Sequence, residues 1–581
     1  MSKHTACPLD CYDACSIVYT NGKMKGLKDG HTQGFLCPHM NHYSKHKTIT
    51  SPRYKGNEVS IDEAVKKLYD LLNSCEKEDI LHYRGNGNFG LMQEVSDHFF
   101  SSFGATLTDG SLCDGAGEAG IIEGRGSNKN MSLSEIVKSE VVIFWGRNPH
   151  VSSSHILPLI KDKTIIVIDP VKTKIAELAD LFIQIKPHGD LTLAMMLTRF
   201  LHIHHGCDEE YMEKYASEYE DYYELTQTIR IKAKLEEIDV TLGEIGTLLE
   251  IVKDKKTAIV CGVGIQKYDD GADIMRAIDA FGVFLGLFGQ EGSGVAYLGN
   301  SKEGIVSPFY TKSKKISKVN TNFAQYKTVF VQGANPLSQM PNSLQVKESI
   351  SKVENLIYFG LYENETSELA DLVIPAKSFL YKDDIRVSYS HNGFMLMNKV
   401  EDNDVGISEY DLTARLCKMF DIPLESEVFY LEHFKSFASV NDDGSFTVND
   451  REDIPYLNGF DTDDGEFVFL DELDDDFNMN EDMFLITSKS AKSLNSQFYR
   501  EENVYIHSSL GFEESEELCI SSSNGEVHLK VKHKDELRQD CVLIYSGTRG
   551  LNNLTSSKHS YEGKCAVFQN NKVKISKLNN G

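Results

Sequence analysis

No stretch of eighteen or more apolar residues occurs in this chain, so the sequence offers no membrane-spanning helix. Basic residues are also scarce: 60 Lys and Arg stand against 87 Asp and Glu, a formal charge of −27. That deficit argues against a nucleic-acid partner, because phosphate backbones are bound through basic patches. The residues from Met1 to Cys7 contain neither an apolar signal segment nor a twin arginine, so a cytoplasmic protein is expected. Eight of the twelve cysteines (75, 113, 207, 261, 417, 519, 541 and 565) are scattered singly, which fits a reducing compartment rather than a disulfide framework.

What is present is an ordinary globular composition, 41% hydrophobic and 25% charged, over 581 residues. That length exceeds one hydrophobic core and predicts several domains. From residue 59 helix-like and strand-like segments alternate, the pattern of an α/β protein with parallel sheets. A helix from Ile61 to Leu72 precedes a short strand, 79–83, then Gly85-Asn86-Gly87-Asn88-Phe89-Gly90 and a helix from Leu91 to Phe103. Strand, G-x-G-x-x-G turn and helix is the context in which this motif binds dinucleotides.

Further strands are predicted at 141–145, 164–168, 258–260 and 328–331. They end in Gly146-Arg147-Asn148-Pro149, Asp169-Pro170, Cys261-Gly262-Val263-Gly264 and Gln332-Gly333-Ala334-Asn335-Pro336. Turn residues end strands in any protein, yet the carboxyl edge of an open α/β sheet is also where ligands bind. The tetrad G-x-N-P recurs at 146–149 and 333–336, which suggests an internal duplication and two facing nucleotide lobes. From Asp442 to Asp482 the chain carries one basic residue, Arg451, and reads as a solvated linker. Gly465 falls one place too early for a calcium loop, so Asp464-Gly465 is read as a hairpin turn. After Met483, short β-type runs such as 527–531 and 541–545 predict a compact β-barrel.

The most informative segment is the first. It reads C-P-L-D-C-Y-D-A-C and, eighteen residues later, G-F-L-C-P, placing thiols at Cys7, Cys11, Cys15 and Cys37. Three cysteines together and one apart suit a [4Fe-4S] cluster; a four-cysteine zinc site is the alternative.

In this order the motifs resemble the molybdopterin oxidoreductases of the dimethyl-sulfoxide-reductase superfamily. The cysteine segment resembles that family's [4Fe-4S] domain. F-W-G-R-N-P (144–149), V-I-D-P (167–170) and I-K-P-H-G-D (185–190) resemble its nucleotide-binding signatures, and 370–376 resembles its A-D-x-V-L-P block. Leu494 to Phe498 and Asn552 to Thr555 resemble parts of its closing barrel. The resemblance implies bis-molybdopterin guanine dinucleotide with molybdenum or tungsten. Gly146, Asn148, Asp169, Asp190, Gly262 and Gly264 would serve one dinucleotide. Gly85, Gly87, Gly333, Asn335 and Thr366 would serve the other, with Asn495, Gln497 and Asn552 on the barrel. Cys113, in S-L-C-D-G-A-G-E-A-G, falls where the family places its protein ligand to the metal, and a thiolate is a soft donor suited to it.

The expected fold is multi-domain α/β. It comprises a [4Fe-4S] domain (1–58), a Rossmann-like lobe (59–110 with 326–440) and a second such lobe (111–325). An acidic linker (441–482) and a double-psi type C-terminal β-barrel (483–581) complete it. The expected function is two-electron chemistry on a small-molecule substrate at Mo or W. Electrons would pass singly through the cluster to a partner subunit or ferredoxin-like protein. Asp114 and Glu118 are candidate proton handlers by proximity in sequence. Three departures bear on substrate. Asp114 stands where formate dehydrogenases of the superfamily have histidine, the stretch 294–300 lacks their arginine, and His39 replaces a lysine between cluster and pterin. Formate dehydrogenase is therefore the alternative reading. A metal-free electron-transfer or scaffold subunit, like the large iron–sulfur subunit of complex I, is another. An NAD-dependent enzyme using Gly85–Gly90 is a third, but it leaves the cysteines unexplained.

Overall fold

A computed structural model describes residues 2–403, 405–473 and 482–578. The chain starts as a three-stranded antiparallel sheet, Lys3–Ala6, Ser16–Thr20 and Lys23–Gly26, and the first loop of that sheet carries Cys7, Cys11 and Cys15. Cys37 caps the short helix Pro38–Asn41.

Two parallel sheets form the body. One has five strands in the order Leu181–Ile183, Thr164–Ile168, Val141–Trp145, Thr257–Cys261 and Gly294–Ala296. Val141–Trp145 and Thr257–Cys261 are buried at every position, as continuous apolar runs require when helices cover both faces. The other sheet has eight strands. Lys315–Ser317, Thr106–Asp109, Ile80–Arg84, Thr328–Gln332, Asn355–Gly360 and Leu372–Pro375 run parallel. The antiparallel pair Arg53–Tyr54 and Asn57–Glu58 extends its edge. Two chain segments thus cross the divisions expected from sequence: residues 53–58 and 315–317 both join the eight-stranded sheet. Each is short and polar, so neither has the apolar run by which buried strands are read.

The helix Ile61–Asn73 opens with a capping box between Ser60 and Glu63, which satisfies two of its free amide groups. The predicted helix at 91–103 begins as a 3-10 turn, Leu91–Glu94, and becomes α-helical at Val95–Phe103. A four-stranded antiparallel sheet (Asp384–Val387, Gly393–Met397, Phe446–Val448, Ala438–Val440) backs the N-terminal strands and was not apparent from sequence. The C-terminal region is a closed six-stranded barrel in the order Met483–Ser488, Cys541–Tyr545, Asn503–Ile506, Glu526–His533, Glu517–Ser521, Lys572–Lys577.

The described part of the acidic segment is not the solvated linker its charge suggests. Tyr456, Phe460, Phe467, Phe469 and Leu470 are buried in the core of the five-stranded lobe, so apolar side chains spaced among carboxylates anchor it. The turn at Asp464-Gly465 exists, with Phe460 N donating to Gly465 O at 2.9 Å, but no strands flank it. Residues 474–481 lie outside the described residues.

Candidate active-site cleft

Between the two parallel sheets, the N-terminal sheet and the barrel lies a cleft of about 810 Å³. Strand ends from both lobes open into it, as expected at the carboxyl edge of such sheets. Gly85, Gly87, Gly146, Asn148, Asp169, Asp190, Gly262, Gly264, Gly333 and Asn335 all line it. So do His39, Cys113, Asn495, Gln497, Asn552 and the four N-terminal cysteines. Three of the sequence-predicted residues, Asp114, Glu118 and Thr366, do not. Asp114 is the residue immediately before the helix Gly115–Arg125. Thr366 is fully buried and donates its hydroxyl to Asn335 Oδ1 at 2.9 Å, so it positions Asn335.

The recurring tetrad builds the same local structure twice. Gly146 (φ +60°) and Gly333 (φ +55°) both take the left-handed conformation that favours glycine. Each abuts a glycine from the neighbouring strand: a Cβ on Gly262 would lie 1.8 Å from Gly146 O, and one on Gly87 would lie 2.6 Å from Gly333 O. Asn148 and Asn335 then each start a four-residue helix with Pro first, Pro149–Ser152 and Pro336–Gln339. The two asparagines differ in state. Asn335 is occupied by Glu365 and Thr366, whereas Asn148 Oδ1 is buried with no hydrogen-bond partner.

Two carboxylates close the five-stranded side. Burial pushes Asp169 up to about 7, and Asp190 up to about 6 although Trp145 Nε1 donates to Asp190 at 2.7 Å. Neither makes an ion pair among the described residues. On the barrel, Gln497 donates to Gly87 O (2.7 Å) and Asn552 to Ser338 O (2.7 Å), so these amides clamp the barrel onto the eight-stranded lobe.

Cys113 follows a turn in which its own N–H donates to Ser111 Oγ at 2.9 Å. Burial, then the charge of Asp114, pushes its thiol up to about 12, so a thiolate there requires a cation. Asp114 itself is pushed up to about 7 by burial and then by Glu118. Glu118 is engaged by Asn128 (2.6 Å). His39 is nearly buried and its Nε2 lies 3.3 and 3.2 Å from the carbonyls of Ser490 and Ser493, with burial lowering its pKa. It donates to backbone acceptors and bridges the cysteine loop to the barrel.

The four N-terminal thiols form one group. Cys7 N donates to Cys15 O at 2.8 Å, and Leu9 N approaches Cys7 Sγ at 3.5 Å. Burial, then the charges of Cys11 and Cys37, raise Cys7 well above its usual value; burial and Cys11 push Cys37 to about 12. Cys11 and Cys15 are raised too, by burial first. Two buried guanidinium groups face the same loop. Arg386 is fully buried, donates to the carbonyls of Leu9 (3.4 Å) and Cys11 (3.2 Å), and stacks over Phe89 at 4.2 Å. Arg147 lies 4.6 Å from the Tyr12 ring centroid and donates to Ser153. Neither has a carboxylate partner among the described residues. Crowded thiols that need a cation, beside buried cations that need an anion, fit an anionic thiolate-bound cluster.

Sequence reading missed several cleft residues. Asp10 lies within the cysteine motif but was not assigned; it accepts from Tyr389 Oη and Asn86 Nδ2, both at 2.9 Å. Arg147 lies inside a quoted motif without a role. Arg386 and Tyr389 stand in R-V-S-Y, which carries no signal in pattern or composition. Lys267 and Lys489, whose charges lower the Cys113 thiol, likewise line the cleft without any motif.

The family model for molybdopterin oxidoreductases matches residues 84–402. This chain belongs to the molybdopterin oxidoreductase family. It is 27% identical over 441 residues to the probable oxidoreductase YyaE of Bacillus subtilis, covering 69% of this chain and 66% of that protein. It is 24% identical to the probable oxidoreductase YoaE of the same organism, covering 68% and 65%. The chain thus spans just under two thirds of the length of these relatives. Acetylene hydratase from Pelobacter acetylenicus shares its fold, with a TM-score of 0.81 at 15% identity over 99% of this chain and all of that one.

Proposed function

We propose that the chain is a molybdenum- or tungsten-dependent oxidoreductase. In this reading bis-molybdopterin guanine dinucleotide fills the cleft, Cys113 supplies the protein ligand, and Cys7, Cys11, Cys15 and Cys37 hold a [4Fe-4S] relay. The observation that carries it is convergence: two copies of one strand-end motif, Cys113 and four crowded thiols line a single cleft. When bound, the metal centre would supply two-electron redox chemistry and the cluster one-electron transfer. The protein's own part is placement. Glycines 85, 87, 146, 262 and 333 let backbone approach phosphates. Asp169, Asp190 and the free Asn148 Oδ1 present acceptors to guanine or ribose N–H and O–H groups. Tyr389 keeps a proton on Oη, donated to Asp10 Oδ1, within the same cleft.

Metal and pterin analysis of anaerobically purified protein tests this. One Mo or W, two pterins and four Fe per chain are the expected result. Zinc in place of iron would overturn the cluster assignment. Iron without Mo, W or pterin would favour the scaffold reading. A substrate panel that includes formate with a viologen dye then addresses the substrate.

A further inference from the structure

The N-terminal sheet stands between the four thiols and solvent. His4 pairs with Val18 and Val18 with Lys25, while Thr20 pairs with Lys23. Paired residues of an antiparallel sheet project to one side, as do residues two apart on a strand, so these five share a face. The opposite face carries Ile17 and Met24, which pack with Cys7, Cys15 and Cys37 in one apolar cluster. Lys28, just beyond the last strand, runs beside Gly34, three residues before Cys37. Lys23, Lys25 and Lys28 are exposed, and none forms an ion pair among the described residues.

Charge is distributed unevenly about this sheet. The sheet and its loops, residues 3–36, hold four Lys and three Asp, a net +1 in a chain whose total is −27. Two of the three acids, Asp10 and Asp13, are turned inward, toward Tyr389 and His155, and only Asp29, beside Lys28, is exposed. The five residues of the outward face include two exposed lysines and no acid, on a molecule whose net charge is strongly negative.

We propose that this outer sheet face, centred on Lys23, Lys25 and Lys28, docks an acidic one-electron carrier protein of the ferredoxin class. The proposal rests on the reading that the four cysteines hold a cluster. An acidic carrier is repelled by the net negative charge of the chain and attracted here, which steers it to the sheet whose inner face packs against the cysteines. One electron then passes between the carrier's cluster and the chain's, one oxidised as the other is reduced, and no bond forms.

The test uses the holoenzyme and a small acidic ferredoxin as probe, with affinity measured by calorimetry at low and high salt. The variants are K23E/K25E/K28E, the milder K23Q/K25Q/K28Q, and the remote control K253E/K347E. Charge reversal is expected to weaken binding at least tenfold and flatten its salt dependence. The neutral set should fall between, the control should bind like wild type, and turnover with a small viologen dye should not change. Equal binding by wild type and the reversal variant would overturn the proposal. So would no binding by wild type, or wild-type binding to anionic vesicles or DNA in preference to ferredoxin. Iron content is measured on the same samples: absent iron contradicts the cluster reading, whereas unaltered binding with iron present contradicts the docking face alone.

Discussion

Single buried charges are the most telling residues of this chain. Arg386 is fully buried, its Nε has no partner, and only carbonyls accept from its other nitrogens. An isolated buried charge is costly, and in the proposed cluster its opposite would be the thiolates of the cysteine loop. With a cluster bound, the positive charge favours the reduced, more negative state. Arg386→Met is therefore expected to lower the cluster's midpoint potential in an EPR-monitored titration; an unchanged or raised potential would contradict this role. Asp169 carries the converse charge problem. Burial raises its folded-state pKa to about 7, against roughly 3.9 when unfolded. Its contribution to stability is full below the unfolded value and is lost as pH rises through about 7. Cofactor-free protein should thus melt at falling temperature from pH 5 to pH 8, with Asp190 acting in the same direction. Asp169→Asn should flatten that slope and raise the pH 8 melting temperature, by at most about 4 kcal/mol in free energy. A variant with an unaltered slope would exclude Asp169 as the cause.

At the scale of elements, the repeated glycine–asparagine–proline turn organises both lobes. Its steric demand is specific to position. A Cβ on Gly262 meets Gly146 O at 1.8 Å, whereas one on Gly264 has only Gln569 Nε2 within reach, at 3.9 Å. Gly262→Ala should cost about 1–3 kcal/mol or more and reduce pterin content, while Gly264→Ala should be near neutral in thermal unfolding. Equal effects would show that this close approach does not matter. The same turns explain what could be read in advance. Strands such as Val141–Trp145 and Thr164–Ile168 are unbroken apolar runs ending in turn residues, so their bounds were legible. The edge strands 53–58 and 315–317 are short and polar, and nothing local marks their pairing. The acidic segment misleads for a related reason: net charge masks the buried side chains of Phe467 and Phe469. Gln497 and Asn552 were placed at the cleft by resemblance, but their donors hold backbone of the other lobe, a pairing visible only in three dimensions.

The whole molecule is a cleft assembled from parts far apart in sequence. Cysteine loop, both lobes and barrel each supply one wall, which is why motif order indicated a common site before any distance was known. What sequence did not supply is the electrostatic setting: Arg386, Tyr389, Lys267 and Lys489 reach the cleft from segments without motifs. It also gave no sign that Cys113 lines the cleft while Asp114, the next residue, is not part of its lining. In the proposed function the Cys113 sulfur bonds the metal. X-ray absorption at the metal edge tests it directly, comparing anaerobically prepared wild type with Cys113→Ala at matched metal and iron content. One fewer sulfur neighbour in the variant, an unaltered iron–sulfur spectrum and loss of turnover are expected. An identical sulfur shell in the two proteins, or full activity in the variant, would contradict it.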